Sequence, residues 1–201
     1  MIYLIGGAPR VGKTHLTKLI CAQKQVHAVS TDALRYMLRH TIPENVSPDI
    51  FIHFKTNMLE MWDTNHQSTL EAQNRQSKGL WPYMRALIAS YNEDGVDLLL
   101  EGVAVLPEFA HGLDVPYKSV FLGNTEANHV TNIRTHARDN AHDWMHVLPD
   151  RTIDRASQFF GVMSEYLRAE SAKYVQPYAE IRDATYEADL DQAASILLSA
   201  N

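Results

Sequence analysis

Residues 7–14, GAPRVGKT, combine residue types whose spacing could bind the phosphates of a nucleotide. They match the pattern G-x-x-x-x-G-K-[ST] at every fixed position. The glycines let the backbone curl so that successive N–H groups point at one anion. Lys13 would reach the β- and γ-phosphates, and the Thr14 hydroxyl would complete the coordination of a bound Mg²⁺. The residues predicted to bind the nucleotide are Gly7, Ala8, Pro9, Arg10, Val11, Gly12, Lys13 and Thr14.

The sequence on either side of this segment supports the same interpretation. An apolar run, Ile2 to Ile5, precedes it, and Lys13 to Cys21 follows with Leu16, Leu19 and Ile20 at helical spacing. The alternative, a chance glycine turn, would not require a strand before it and an amphipathic helix after it. The helix would also direct the positive end of its dipole at the bound anion. We therefore predict that the chain binds a nucleoside triphosphate.

Asp32 directly follows a second apolar run, Val26 to Val29. Ligands of parallel sheets bind at the carboxyl ends of the strands. A carboxylate there could accept the proton of a hydroxyl that attacks the γ-phosphoryl group. The alternative is that Asp32 caps the helix Ala33 to Arg39, although one carboxylate oxygen could cap while the other faces the substrate. Arg35 either holds an anionic group of the acceptor or is a solvated helix residue, and Arg39 repeats its spacing.

Glu101 and Gly102 come directly after a third apolar run, Val96 to Leu100. The Glu101 carboxylate could hold Mg²⁺ through water or orient Asp32, and Gly102 would let the acceptor approach the backbone. The alternative is a buried acid that pairs with Lys13 or with a loop amide. Both residues are candidates for acceptor binding, and Thr14 and Glu101 are the candidate metal ligands.

Four arginines occur as two helical pairs at i, i+4 spacing around the polar segment 139–149: Arg134, Arg138, Arg151 and Arg155. Two helices that carry arginines toward a joining loop could form a lid over the phosphates and stabilise the charge of the transferring group. The alternative is a solvated helix face. Three histidines near this segment have few acidic neighbours, so a zinc site is not favoured: His136, His142 and His146. Three tryptophans are interpreted as packing residues: Trp62, Trp81 and Trp144.

The elements that must position these residues alternate between strands and helices. Short apolar runs predict strands at Ile2 to Ile5, Val26 to Val29, Val96 to Leu100, Ser119 to Leu122 and Thr185 to Ala188. Helices are predicted at Lys13 to Cys21, Ala33 to Arg39, Leu70 to Tyr91 after a Ser68 cap, Thr125 to Arg138 after an Asn124 cap, Asp150 to about Tyr178, and Asp191 to Ser199. Pro82 should kink or divide its helix. The alternation predicts an α/β sandwich with a parallel sheet.

Composition limits the classes of protein that the chain could represent. It has 201 residues, of which 45% are hydrophobic, so one domain with a sizeable core is expected. The formal net charge of −6 argues against nucleic-acid binding. A single cysteine excludes an internal disulfide framework. No run is long enough to span a bilayer and no signal-peptide pattern is present, so a soluble cytoplasmic protein without a membrane partner is the expectation.

The chain resembles the small-molecule kinases of the P-loop superfamily, most of all the 2-phosphoglycerate kinase-like branch. Chloramphenicol phosphotransferase and the zeta-toxin kinases are more distant. The motifs that carry the resemblance are GGAPRVGKT at 6–14, STDALR at 30–35, LLLEGVAVLP at 98–107, VFLGN at 120–124 and the lid-like NIRTHARDNAHDWM at 132–145. We expect no counterpart of the N-terminal regulatory region of some 2-phosphoglycerate kinases, and nothing in residues 40–95 identifies a phosphoglycerate pocket.

The resemblance implies a three-layer α/β sandwich whose five-stranded parallel sheet has the order 2-3-1-4-5. It implies one kinase domain over residues 1–201, with a helical acceptor-binding insertion at about 40–95 and a lid at about 134–155. ATP and Mg²⁺ would be the cosubstrates. Lys13 would bind phosphate, Asp32 would be the catalytic aspartate, and Arg134 and Arg138 would be lid arginines. The adenine would lie between the lid and the loop after Thr185 to Ala188.

These features predict an ATP-dependent phosphotransferase that acts on a hydroxyl of a small-molecule acceptor, as a monomer or homodimer. One alternative is a nucleotide-responsive switch module that transfers no phosphate. The chain has no evident N-K-x-D guanine-reading motif, which argues against a GTPase switch. A second alternative is a nucleotide or nucleotide-sugar kinase, with residues 40–95 covering a larger acceptor.

Overall fold

The computed structural model describes residues 1–55, 58–63 and 65–199. Its strands are β1 (Ile2–Gly7), β2 (His27–Ser30), β3 (Leu98–Gly102), β4 (Tyr117–Gly123) and β5 (Tyr178–Glu180). Its helices are α1 (Lys13–Gln23), α2 (Thr31–Thr41), α3 (Ile52–Lys55), α4 (Met58–Asp63), α5 (His66–Glu93), α6 (Pro107–His111), α7 (His129–Asp139), α8 (Asp150–Lys173) and α9 (Tyr186–Leu198). Short 3₁₀ helices lie at Pro48–Phe51 and Asp183–Thr185.

The strands form one parallel sheet in the order β2-β3-β1-β4-β5. This confirms the predicted fold class. Strand β1 is central and buried along its whole length, as expected of a parallel strand with helices on both faces. Helices α1 and α9 pack together and contact the sheet, whereas α8 packs on β4 and also contacts α4, α5, α6 and α7. The result is the three-layer arrangement that the sequence predicted.

The register of the sheet brings the predicted site segments to one edge. Gly6 pairs with Gly102, Glu101 pairs with Ser30, and Gly7 pairs with Leu122. Because all strands run the same way, the turns after β1, β2 and β3 leave the sheet at its carboxyl edge, where ligands of such sheets bind. The phosphate loop, the start of α2 and the end of β3 are therefore neighbours.

The fifth strand lies earlier in the chain than predicted. The strand expected at Thr185 to Ala188 is wrong, because those residues end a 3₁₀ helix and begin α9. The helix expected to reach Tyr178 ends at Lys173, and Tyr178 starts β5 instead. Strand β5 has three half-buried residues at the edge of the sheet, so it lacks the apolar run of a strand covered on both faces.

Two predicted helix caps are also wrong. Helix α5 is capped by Asn65, whose side-chain oxygen accepts from the Gln67 N–H at 2.8 Å, while the Ser68 hydroxyl donates to the Asn65 carbonyl. Helix α7 begins at His129, and Asn124 instead accepts from the Glu126 N–H at 2.9 Å within the preceding turn. In both places an Asn side chain bonds the backbone two residues on, which stabilises a turn as readily as a helix start.

Residues 66–93 form one uninterrupted helix, so of the predicted kink or division at Pro82 the division is wrong. Its buried face packs against the 3₁₀ helix Pro48–Phe51, α3, α4 and α8. The stability gained from this packing offsets the loss of the backbone hydrogen bond that Pro82 cannot donate. None of the described helices is both long and apolar enough to cross a bilayer.

Candidate active site

The phosphate loop joins β1 to α1 and is tied to the sheet. The Ala8 N–H donates to the Leu122 carbonyl of β4 at 3.1 Å. Gly12 caps α1 with φ +88°, a conformation that favours glycine. A Cβ at Gly12 would lie 2.7 Å from the Tyr186 hydroxyl, so α9 approaches the loop too closely for a side chain there. The glycine conformation and the contacts from β4 and α9 therefore fix the position of the loop.

Lys13, at the start of α1, lies near a backbone carbonyl and two carboxylates. Its Nζ donates to the Ala8 carbonyl at 2.6 Å, back across the loop. Burial lowers the pKa of Lys13 to about 8, against the opposing attraction of the Glu101 and Asp32 carboxylates. The three predicted groups Lys13, Asp32 and Glu101 therefore do lie close enough to influence one another.

Asp32 lies in the first turn of α2 and does not cap it. The cap is Ser30, whose hydroxyl accepts from the Asp32 N–H at 3.2 Å. The capping alternative for Asp32 is therefore wrong. Its carboxylate is 63% exposed and pairs with the Arg35 guanidinium at 2.9 Å, and Arg35 also donates to Gln76 at 3.0 Å. The exposed carboxylate can face a bound substrate, and its role as a base stays a prediction.

Glu101 ends β3 with a half-buried carboxyl group. Burial raises its pKa, an effect that Lys13 and a hydrogen bond with Ser30 oppose. The next residue, Gly102, has φ +147°, and a Cβ there would fall 1.9 Å from the Thr31 hydroxyl. Only glycine lets α2 start this close to the end of β3, which is how Asp32 comes beside Glu101.

Two cavities meet at the phosphate loop. The first has a volume of about 590 Å³ and lies between the loop, α7 and the start of α9. The residues that line it are Arg10, Gly12, Lys13, Thr14, His15, His129, Asn132, Ile133, His136, Asp183 and Tyr186. The second, of about 710 Å³, is lined by Pro9, Arg10, Lys13, Thr14, Asp32, Arg35, Arg39, His53, Met61, Trp62, Gln73, Glu101, Gly102, Val103, Trp144, Phe159 and Phe160. Arg10, Lys13 and Thr14 line both.

The predicted lid arginines line neither of these two cavities. Arg134 pairs with Asp154 at 2.8 Å. Arg138 donates to the Asp150 carboxylate at 2.9 Å and to the Leu148 carbonyl at 2.6 Å. Both arginines thus join α7 to α8 and the loop between them. Helix α7 turns other residues toward the first cavity, and a catalytic role for Arg134 and Arg138 stays a prediction.

Sequence reasoning missed the residue that connects the 140–149 loop to the phosphate loop. The Asp143 carboxylate is almost fully buried, and it accepts from the Arg10 guanidinium and from the Met145 N–H. Burial opposes ionisation of Asp143, but these hydrogen bonds outweigh it and hold its pKa below the ordinary range. Asp143 and Arg10 are 133 positions apart in the chain, so no local pattern could have paired them.

The tryptophans divide between two environments. Trp81 stacks on Phe109 with ring centroids 4.6 Å apart, as a packing residue does. Trp62 and Trp144 line the second cavity with ring centroids 6.0 Å apart, and Trp144 is 49% exposed. The packing interpretation is therefore wrong for Trp144. Its position in the polar stretch DNAHDWMH was the signal that could have set it apart.

The histidines of α7 and the following loop do not converge. His136 lines the first cavity, and His146 bonds the Ala137 carbonyl at 3.0 Å. His129 lies buried against the Asp183 carboxylate at 3.0 Å. In the part of the chain that the structure describes, no three His, Cys, Asp or Glu side chains form a cluster that could hold a metal ion. Thr14 and Glu101 remain the predicted Mg²⁺ ligands, a site to which phosphate oxygens and water would contribute.

Comparison with known proteins gives two curated relatives. The chain is 24% identical over 131 residues to the 2-phosphoglycerate kinase of Thermococcus kodakarensis, covering 60% of this chain and 45% of that protein. It is 26% identical over 126 residues to the mevalonate-3-phosphate 5-kinase of Thermoplasma acidophilum, covering 60% and 58%. The chain therefore spans about half the length of the curated relatives it matches. No protein-family model matches the chain.

Among solved structures, the shikimate kinase of Bacteroides thetaiotaomicron superposes with a TM-score of 0.50 at 14% identity, covering 98% of both chains. The dephospho-CoA kinase of Campylobacter jejuni gives 0.48 at 11% identity, covering 98% of this chain and 96% of that one. The shikimate kinase likeness concerns the fold, and it agrees with the predicted sheet. Together with the curated relatives it supports the resemblance to P-loop small-molecule kinases that the sequence motifs predicted.

Proposed function

We propose that this chain transfers the γ-phosphoryl group of ATP to a hydroxyl of a small-molecule acceptor. The observation that carries the proposal is that both cavities include Arg10, Lys13 and Thr14. A transferase must hold donor and acceptor on either side of the group that moves, whereas a nucleotide switch needs a site for the nucleotide alone. The kinase names of both curated relatives agree with a transferase.

The first cavity is the proposed nucleotide site. It lies between α7 and the residues after β5, which is where the resemblance implies the adenine, once the position of the last strand is corrected. Tyr186 and His15 supply rings on one side, with centroids 5.8 Å apart. The N–H groups of the phosphate loop and the N-terminus of α1 would then surround the phosphates.

The second cavity is the proposed acceptor site. Asp32 would accept the proton of the acceptor hydroxyl as its oxygen bonds to the γ-phosphorus and the bond to the bridging β–γ oxygen breaks, which releases ADP. Lys13 and Arg10 line both cavities and would stabilise the negative charge on the transferred group. Most of the rate enhancement would come from positioning and electrostatics.

The residues at the loop fit a bound Mg²⁺. Thr14 lines both cavities, and Glu101 lines the second close to Lys13. Thr14 would bind the ion directly and Glu101 through water. Bound there, Mg²⁺ would neutralise part of the phosphate charge. For Arg134 and Arg138 to act as lid residues, phosphate contacts would have to replace their pairs with Asp154 and Asp150.

The substitution Asp32→Asn tests the proposal, because it keeps the size of the side chain and removes its basicity. With a verified acceptor we expect kcat to fall by roughly 10²- to 10⁴-fold while the ATP Kd measured by calorimetry is little changed. Asp114→Asn, at an exposed carboxylate outside the lining of both cavities, is the control. An unchanged kcat in Asp32→Asn would exclude Asp32 as the base.

ATP consumption separates the proposal from its alternatives. A transferase hydrolyses ATP at a slow background rate that rises sharply with one acceptor, whereas a switch module shows no such rise with any metabolite. A nucleotide kinase would respond to nucleoside monophosphates and place the new phosphate on a phosphate oxygen. Phosphorus NMR of the product distinguishes that outcome from a phosphate ester formed at a hydroxyl.

A further inference from the structure

Large apolar side chains contribute to the lining of the second cavity, and Trp144 is the most exposed of them. Five of its lining residues are large and apolar: Met61, Trp62, Trp144, Phe159 and Phe160. The two indole rings lie 6.0 Å apart, and the two phenyl rings 6.3 Å apart. A volume of about 710 Å³ falls within the range of roughly 300–1,000 Å³ that holds drug-sized ligands. Such a cavity suits an acceptor with a broad apolar body.

Trp144 is held at this cavity by the polar contacts of its neighbours. Asp143, the preceding residue, is anchored to Arg10 of the phosphate loop, and its carboxylate also accepts from the Met145 N–H at 2.8 Å. These contacts tie the backbone on either side of Trp144 to the phosphate loop. Trp144 is 49% exposed, so a ligand in the cavity could bury the part of the indole that the chain leaves in water.

Two lining residues of the cavity carry buried nitrogen atoms that have no hydrogen-bond partner among the described residues. The Trp62 side chain is 4% exposed, and within the described residues its Nε1–H donates to no acceptor. His53 contacts the Gln73 carbonyl oxygen through Nε2 at 2.8 Å, and its Nδ1 is buried without a partner among the described residues. Burial lowers the pKa of His53, which favours the neutral form of the ring.

Two arginines of α2 give the same cavity a place for an anion. Arg35 and Arg39 both line it, one helical turn apart. Arg35 contacts Asp32 through Nη2 and Gln76 through Nη1, and a guanidinium with five N–H groups retains further donors for an anionic oxygen. Arginine is well suited to carboxylate and phosphate groups because its fork of donors matches their oxygens.

We infer that the acceptor is an alcohol with an aromatic or similarly broad apolar body and one anionic group, a carboxylate or a phosphate. The apolar body would lie against Trp62 and Trp144, and the anionic group would bind Arg35. This inference rests on the proposed function, because it assigns the second cavity to the acceptor. It excludes a small polyhydroxy acid, which would leave the exposed part of the Trp144 indole without contact.

A set of matched compounds tests the inference in the intact protein with ATP and Mg²⁺. The aromatic acceptors are 4-(hydroxymethyl)benzoate and 4-(hydroxymethyl)phenyl phosphate, which distinguish carboxylate from phosphate. Glycerate and 2-phosphoglycerate keep the hydroxyl and the anion without a ring, and benzyl alcohol keeps the ring without the anion. We expect kcat/KM for the better aromatic acid to exceed that of each other type by about tenfold or more.

Substitutions identify the cavity that produces this preference. Trp144→Ala should raise KM for the aromatic acid about tenfold and leave the ATP Kd unchanged, because the ring is exposed and lines only the second cavity. Trp62→Phe, which keeps an aromatic ring of smaller area, should raise the same KM by a smaller factor. Trp81→Phe, at the ring that stacks on Phe109, is the control and should change neither value.

The outcomes separate the inference from the function on which it rests. Transfer to glycerate or 2-phosphoglycerate at least as efficient as to the aromatic acids would overturn the inference and leave the phosphotransferase proposal intact. A different outcome is that calorimetry detects binding of the aromatic acids, that Trp144→Ala weakens this binding, and that no compound accepts phosphate. That outcome would support the proposed ligand class and overturn the phosphotransferase proposal. If the aromatic acids neither bind nor accept phosphate at millimolar concentration, the inference is overturned.

Discussion

At the scale of one residue, the surroundings of the Lys13 side chain determine its charge and therefore its interaction with phosphate. Its ammonium donates to the Ala8 carbonyl, and two carboxylates lie near it, those of Glu101 and Asp32. Burial nevertheless lowers its pKa to about 8. A triphosphate would bring additional negative charge to this nitrogen and stabilise its protonated form. Binding of the nucleotide and protonation of Lys13 are therefore coupled.

This coupling predicts weaker ATP binding at alkaline pH. Above pH 8 the free protein increasingly holds Lys13 without its charge, so binding must supply a proton to the side chain. We expect the ATP Kd to rise about tenfold between pH 7 and pH 9. Isothermal calorimetry in buffers of different ionisation enthalpy should show proton uptake on binding at pH 8.5. A Kd independent of pH over this range would contradict the assignment.

Contacts between elements explain why position 12 must be glycine. Helix α9 places the Tyr186 hydroxyl 2.7 Å from where a Gly12 Cβ would lie, and the φ of +88° disfavours any other residue. We therefore expect Gly12→Ala to lower the free energy of unfolding by roughly 1–3 kcal/mol. Urea denaturation measures this loss. Gly161→Ala in α8, where a Cβ would meet no atom within 4 Å, is the matched control and should not destabilise the chain.

A second substitution separates the two causes of that loss. Tyr186→Phe removes the hydroxyl and leaves the backbone conformation at Gly12 unchanged. The double variant Gly12→Ala with Tyr186→Phe should recover part of the stability, because the close contact is relieved while the unfavourable φ persists. If the two losses simply add, the contact with α9 does not contribute to the requirement for glycine.

The 140–149 loop depends on one carboxylate for its position. Asp143→Asn would remove the charge that pairs with Arg10 and weaken the bond from the Met145 N–H. We expect the free energy of local opening of this loop to fall by about 1–3 kcal/mol, seen as faster hydrogen exchange at residues 140–148. Asp139→Asn, an exposed residue at the end of α7, should leave that exchange unchanged. Equal exchange in both variants would show that Asp143 does not hold the loop.

Elements differ in how far their sequence determines them. Strands β1, β3 and β4 are buried, so their apolar runs and the glycines that follow were sufficient to find them. Strand β5 is short and half-buried, and it forms because β4 offers it hydrogen bonds from 121–123. No local pattern contains that information. The same holds for Asn65 and Asn124, whose equivalent side chains stabilise a helix start in one case and a turn in the other.

The two halves of the candidate site also differ in predictability. The phosphate loop is contiguous in sequence, and its chemistry follows from eight successive residues. Asp32 and Glu101 could be located because each follows a predicted strand. The apolar side of the second cavity comes from residues such as Met61, Trp144 and Phe159, which only the packing of α4, the 140–149 loop and α8 brings together. Their separation in the chain explains why the sequence left the acceptor open.

For the molecule as a whole, ligand binding should appear as increased stability. A nucleotide that binds only the folded chain adds about 2.7 kcal/mol at a concentration of 100 times its Kd. For a chain of this size we expect a rise in Tm of about 5–10 °C with a non-hydrolysable ATP analogue and Mg²⁺. Lys13→Met should abolish the rise, whereas Lys18→Met, at an exposed position of α1, should keep it. The absence of a shift in the native chain at millimolar nucleotide would contradict nucleotide binding.

The residues common to both cavities have a practical consequence for inhibitor design. Since Arg10, Lys13 and Thr14 line both cavities, a single ligand could extend from one cavity to the other past these side chains. If the two cavities hold the nucleotide and the acceptor as proposed, an adenosine joined to an aryl alcohol through an oligophosphate spacer would bind in both. Covalent linkage makes the second half bind at a high effective concentration, so such a bisubstrate compound could exceed the affinity of its separate parts by roughly 10²- to 10⁴-fold.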